Sequence, residues 1–222
     1  MEARSLEHFL AGGQAVNVWA EVYSGECPAA MELAPFTSLD CDVWLGHGAF
    51  KKIHEVIAGK LIKADSPLDG QVGIVELDDE GEKVIDLLDG VFGLSHEEVK
   101  RAWQRSLVVS GIRILDPLFL FKGKCHNLVN LPQDGRQDEK HLRILLAILP
   151  AHFGSLLRNC VAGEIAERDL IREVKTFLDF GKDVFVRRAM ASLGADLVAA
   201  VPFGLMAGCG LEKIERFALR QG

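Results

Sequence analysis

Two aspartates, Asp40 and Asp42, stand one residue apart in the stretch Thr37-Ser38-Leu39-Asp40-Cys41-Asp42-Val43-Trp44. In an extended chain residues i and i+2 point to the same side, so the pair faces one way. Like charges held side by side repel, and burying either is costly unless something positive neutralises it. A divalent cation does so economically, and an all-oxygen donor set suits magnesium. Cys41, by the same alternation, takes the opposite face and reads as packing rather than as a nucleophile. A third carboxylate, Asp86, lies in the otherwise apolar run Val84-Ile85-Asp86-Leu87-Leu88. A lone charge there is explained if it faces a polar site; otherwise it belongs at a strand edge or end, in water.

Upstream, Gly12-Gly13 separates a short strand pattern at 7–11 from an apolar helical face over 14–23, made by Ala15, Val16, Val18, Trp19 and Val22. Strand, glycine pair and helix together make a turn that accepts phosphate. Glycine lets the backbone approach closely, and the free N–H groups of the helix start point at the anion. A tight turn used only for packing would show the same pattern. Residues 24–35, with a proline near each end, read as a long loop.

The next elements must carry the three acids. Residues 49–61 read as an amphipathic helix with Phe50, Ile53, Val56 and Ile57 inward. Residues 71–77 and 83–88 read as a β-hairpin around Asp78-Asp79-Glu80-Gly81-Glu82. Ser95 and Glu98 form a capping-box pattern for a helix from His96 to about Gln104. Short β-type runs follow at 107–109 and 112–115. From Asp116-Pro117 onward the pattern is helical, with Pro117 suited to a first turn. Helices are expected at 118–131, 140–160 (kinked at Pro150), 163–180, 183–193 and 211–219. The change of character near Leu115 is the expected domain boundary, giving units 1–115 and 116–222.

Composition bounds the class. A chain of 222 residues with 49% hydrophobic content can bury a core, and a formal net charge of −7 argues against a broad nonspecific nucleic-acid surface. Five widely spaced cysteines without a C-x-x-C pair suggest a reducing cytosol rather than a disulfide framework. The N-terminus lacks the shape of a signal peptide, and no uninterrupted apolar run approaches the roughly 18 residues of a membrane span. The expectation is a cytoplasmic protein with no membrane partner.

Taken in order, Ala11-Gly12-Gly13-Gln14-Ala15, Thr37-Ser38-Leu39-Asp40-Cys41-Asp42 and Val84-Ile85-Asp86-Leu87-Leu88 resemble the nucleotidyltransferase superfamily, the fold shared with DNA polymerase beta. The closest likeness is to the AbiEii-type toxin nucleotidyltransferases and their relatives. Leu118-Phe119-Leu120-Phe121-Lys122-Gly123-Lys124 and Gln137-Asp138-Glu139-Lys140-His141 add to it. The resemblance implies an α+β fold: a small mixed β-sheet core flanked by helices, then a helical C-terminal domain. It implies magnesium-dependent transfer of a nucleoside monophosphate from a triphosphate to a hydroxyl on tRNA, protein or a small molecule, with an antitoxin protein as a further partner. Asp40, Asp42 and Asp86 would hold Mg2+, and Asp86 would also draw the proton from the hydroxyl. Gly12 and Gly13 would cradle the triphosphate, assisted by Gln14 or Ser38. Lys122 and Lys140 are the phosphate candidates from the helical half.

The chain also departs from that pattern. The family's Lys followed three residues on by Asp is not met at Lys140, which is followed by Arg143. The residue type expected before the aspartate pair is represented only by Thr37 and Ser38. A fold retained without activity, serving as a binding or regulatory module, is therefore the alternative. Dehalogenase-type phosphatases also use Asp-x-Asp but require a Thr where Trp44 stands. A calcium loop from Asp40 fails because its twelfth position is Lys51. His47 and His54 are seven apart with no acidic partner at ligand spacing.

Overall fold

The computed structural model describes residues 7–36, 38, 40–55, 59–64, 70–78 and 83–221. Strand β1 (His8–Leu10) leads into α1 (Gly12–Val22), so the glycine pair forms the helix's first turn rather than preceding it. A short α2 (Pro28–Met31) interrupts the expected loop, with its proline at the first helical position. β2 (Cys41–Leu45) follows. The described residues of 49–61 do not form the expected α-helix. Ala49–Glu55 is a 3-10 helix, and Lys60–Lys63 is a strand, β3. The physical reason is in the sheet: Leu61 and Ile62 pair antiparallel with Val75 and Ile74, and a pleated edge suits β-branched and apolar residues. Val56 and Ile57, expected on the inner face of that helix, lie outside the described residues.

β4 (Gln71–Glu76) and β5 (Val84–Leu88) pair antiparallel as the hairpin signal requires, though turn residues 79–82 lie outside the described residues. α3 (His96–Arg105) begins on the capping box in full: Ser95 accepts from the Glu98 amide, and the Glu98 side chain accepts from the Ser95 amide. β6 (Leu107–Val109) and β7 (Ile112–Ile114) make a tight antiparallel pair turning through Ser110 and Gly111, both at positive φ. The helical half is α4 (Pro117–Asn130), α5 (Asp138–Val161), α6 (Glu167–Asp179), α7 (Val184–Leu193), α8 (Phe203–Met206) and α9 (Glu212–Ala218). The Asp116 side chain caps α4 by accepting from the Leu118 amide, with Pro117 at the first position.

The fold is α+β, built on a mixed sheet. Among the described residues the sheet has seven strands in the order β3-β4-β5-β2-β1-β7-β6. β2 runs parallel to β5 and antiparallel to β1, and β1 runs parallel to β7. Alternation divides the side chains between two apolar clusters. Leu45, Val75 and Leu87 turn to one face, where the 3-10 segment supplies Ala49 and Ile53. Phe9 and Trp44 turn to the other, stack with ring centroids 4.8 Å apart, and meet the helices. That larger cluster runs without a break from Phe9 to Ala218.

α5 is its axis. By length and composition alone α5 is long and apolar enough to cross a membrane, even with Arg143 and Pro150 in its run. Here Leu142, Ile144, Leu145, Ile148 and Leu149 are fully buried, with α1, α2, α4 and α6 packed around the helix.

Candidate functional site

The parallel pairing of β2 with β5 sets Asp42 directly opposite Asp86. Both side chains, with that of Asp40, line one cleft of about 370 Å³. Asp40 itself falls just before the strand and is exposed, whereas Asp42 is half-buried. Cys41 does not line the cleft, as the alternation requires. The three carboxylates reach the same space from β2, the residue just before it, and β5, far apart in sequence. Among the described residues, though, no three His, Cys, Asp or Glu side chains are drawn together into a set that could already hold a metal ion.

The glycine turn is part of the same structure. The Ala11 amide donates to the Asp42 carbonyl at 2.8 Å, tying the helix start to the strand. Gly12 has φ +61°, and a Cβ on it would lie 1.6 Å from Asp42 Oδ2. The backbone of α1 is therefore pressed against the Asp42 carboxylate, and no side chain fits between them. α1 has no side-chain cap and no acid in its first turn. Gly12 and Gly13 line the cleft, so the start of the helix borders it with the polarity that favours an anion. Gln14 does not line the cleft. Its Nε2 donates to the Ser38 carbonyl at 2.8 Å and so anchors the segment entering β2. Ser38 lines the cleft, and its hydroxyl donates to the Asp40 carbonyl at 3.2 Å; Thr37 lies outside the described residues.

The far wall comes from α4 and the start of α5. Leu120, Gly123, Lys124 and Asn127 line it at helical spacing, followed by Arg136, Asp138 and His141. Asp138, only 1% exposed, accepts from Lys124 Nζ at 2.8 Å and from Arg136 Nε at 2.6 Å. Lys124 is the lysine that lines the cleft among the described residues, and neither Lys122 nor Lys140 does. Lys122 faces away from the cleft and pairs with Glu98 at 2.7 Å and Asp183 at 3.8 Å. Two residues along an α-helix turn about 200°, so Lys122 and Lys124 cannot share a face. Lys140 does not line the cleft either; its Nζ donates to the Pro35 carbonyl at 2.7 Å.

The electrostatics follow from this crowding. Burial pushes the Asp42 carboxyl up to about 6, with Asp86 and Asp40 adding to the rise and Lys124 opposing it. Asp86 is also raised, by burial and by Asp40, against a hydrogen bond donated by Gln71 Nε2. For Asp138 burial acts upward too, but Lys124 and Arg136 outweigh it and hold the carboxyl below its usual range. The His141 imidazole is pushed down to about 4, first by burial and then by Lys124.

Gln71, Lys124, Asn127, Arg136, Gln137, Asp138 and His141 are the polar cleft residues to which the sequence pattern assigns no role. Lys124, Asp138 and His141 sat inside stretches quoted for the family likeness, and the stripe Leu120-Gly123-Lys124-Asn127 was the available signal. No protein-family model matches this chain, and no curated protein matches it by sequence. The functional reading therefore stands on the geometry of the cleft and on the residue pattern.

Proposed function

We propose that this chain is a magnesium-dependent nucleotidyltransferase that moves a nucleoside monophosphate from a triphosphate to a hydroxyl acceptor. The observation that carries the reading is the register of β2 against β5. It brings Asp42 level with Asp86 beside a helix start whose glycine has room for nothing but hydrogen. Carboxylate at one side of a cleft and cationic side chains at the other suit a ligand that brings a metal ion and phosphates together.

The donor chemistry fits the metal. Asp40, Asp42 and Asp86 offer only hard oxygen atoms, and the raised Asp42 and Asp86 carboxyls mark charge that a cation would stabilise. Magnesium bound there would neutralise charge on the reacting phosphoryl group and on the leaving oxygens. The chain's own contribution is placement. Gly12 and Gly13 present backbone N–H groups to the phosphates, Lys124 and Arg136 offset negative charge, and Asp86 stands ready to accept the acceptor's proton. Asp138 holds both cations at the cleft wall. Transfer to tRNA, protein or a small molecule, and partnership with an antitoxin, rest on the family resemblance alone.

A second reading, a binding or regulatory module on the same fold, draws on one observation. Among the described residues the three carboxylates are not gathered into a ready ligand set. The two readings separate in a thermal-shift series with the four nucleoside triphosphates, with and without magnesium. A transferase gives magnesium-dependent stabilisation that Asp42→Ala abolishes, and it transfers label from triphosphate to an acceptor pool unless Asp86 is changed to Ala. Binding without transfer supports the module, and neither binding nor transfer removes both.

A further inference from the structure

His141 sits in the second turn of α5, lines the cleft and is only 5% exposed, yet neither ring nitrogen has a hydrogen-bond partner. Buried polar groups are nearly always satisfied, so a cleft-wall ring whose two enclosed nitrogens both lack a partner points to a ligand that completes one of them as the ring shifts to meet it. The other buried ring and amide nitrogens without partners, on Asn17 and His152, do not line the cleft. His141 Cε1 lies 2.8 Å from where a Cβ on Gly13 would stand. Both ring nitrogens flank Cε1, so the edge that can hydrogen-bond is turned toward the glycine turn at the start of α1.

We propose that His141 is a ligand-contacting residue, one ring nitrogen donating a hydrogen bond to a phosphate oxygen of a nucleoside triphosphate seated on Gly12 and Gly13. This rests on the nucleotidyltransferase reading and adds a residue to it. The charged groups around the ring favour phosphate over a neutral part of the ligand. Lys124 from α4, Arg136 from the turn before α5, and Asp138 and Lys140 at the start of α5 act on it, and Asp40, Asp42 and Asp86 line the same cleft. In the free protein burial and the nearby cations keep the imidazole neutral. A polyphosphate reverses that field, so the ring takes up a proton as the anion arrives and can donate from either nitrogen.

The test is calorimetry on the full chain with tripolyphosphate and with each nucleoside triphosphate plus magnesium. It compares wild type with His141→Phe, which keeps a ring but no nitrogen, and His141→Gln, which keeps a neutral donor. Phenylalanine should weaken both kinds of ligand about tenfold or more, the scale of a hydrogen bond to a charged group, and glutamine should weaken them less. Tripolyphosphate titrations at pH 6.5 in two buffers of different ionisation enthalpy should show more proton uptake by wild type than by the glutamine variant. The magnesium-free ligand keeps metal displacement at the aspartates out of that count.

Unchanged affinity in the phenylalanine variant overturns the proposal and leaves the transferase reading standing. Should that variant melt below the working temperature, the glutamine variant decides: equal affinity and equal proton uptake overturn the proposal. A wild-type protein that binds no triphosphate overturns the transferase reading and this inference with it.

Discussion

At the scale of single residues, Asp42 carries the sharpest conflict between stability and use. Its folded value of about 6 stands above the ordinary carboxyl value of 3.8, so the folded state holds the extra proton between those limits. Stability from this group therefore falls as pH rises through that window, and the full cost, roughly 3 kcal/mol at 1.36 kcal/mol per unit, is present above it. Asp42→Asn removes the charge while keeping the shape. It should raise the melting temperature by several degrees at pH 7.5, with the gain shrinking toward zero as pH is lowered to 4, while magnesium-dependent nucleotide binding is lost. A melting temperature unchanged at pH 7.5 would show that Asp42 bears no such cost. Metal binding by the wild type should weaken as pH falls below about 6, because a protonated Asp42 cannot serve as a ligand. The acids were legible in the sequence because alternation in a strand fixes which side a residue takes. Lys124, Arg136 and His141 were not, since their value comes from how α4, α5 and the turn between them stand across the cleft from Asp42 and Asp86, and no local spacing encodes that placement.

At the scale of elements, the joint between α1 and β2 is the place where one atom too many should matter most. Gly12→Ala forces a side chain into a left-handed conformation, costing about 1–2 kcal/mol, and also drives its Cβ into the Asp42 carboxylate. The variant should be destabilised by more than the backbone cost alone and should lose triphosphate binding. Ser95→Ala provides the contrast. It removes one arm of the capping box on α3, costs about 1 kcal/mol, and leaves binding unchanged because Ser95 does not line the cleft. Across the cleft, Lys124→Met leaves nearly inaccessible Asp138 with Arg136 as its remaining partner and should cost roughly 3 kcal/mol in urea unfolding. Helix starts marked by capping chemistry were readable, as Ser95 with Glu98 and Asp116 with Pro117 show. The segment at 49–63 was not. Its apolar spacing suits a helix, but pairing with β4 claims Leu61 and Ile62 for the sheet, and a tertiary demand of that kind leaves no mark in a local window.

At the scale of the whole molecule, the change of composition near Leu115 coincides with the passage from β7 to α4, yet the packing crosses it. Trp19 Nε1 donates to the Leu115 carbonyl at 2.8 Å, and the Tyr23 hydroxyl meets His152 Nδ1 at 3.1 Å across 129 residues of chain. Ala15, Val16, Trp19 and Ala20 of α1 belong to the same apolar cluster as Leu142, Leu145, Leu149 and Phe153 of α5. Cutting the chain after Leu115 would expose that face of α1 and remove one wall of the cleft. The three tryptophans, Trp19, Trp44 and Trp103, all lie before the boundary, while most of the helix lies after it. Tryptophan fluorescence and far-UV circular dichroism therefore watch opposite halves. If the shared core governs folding, urea should unfold both signals in one coincident transition, and the isolated fragment 1–115 should show no cooperative transition at all. Two separated midpoints, or a fragment that melts cooperatively, would mean that the halves fold independently. The cleft would then be an interface between two units rather than a feature of one.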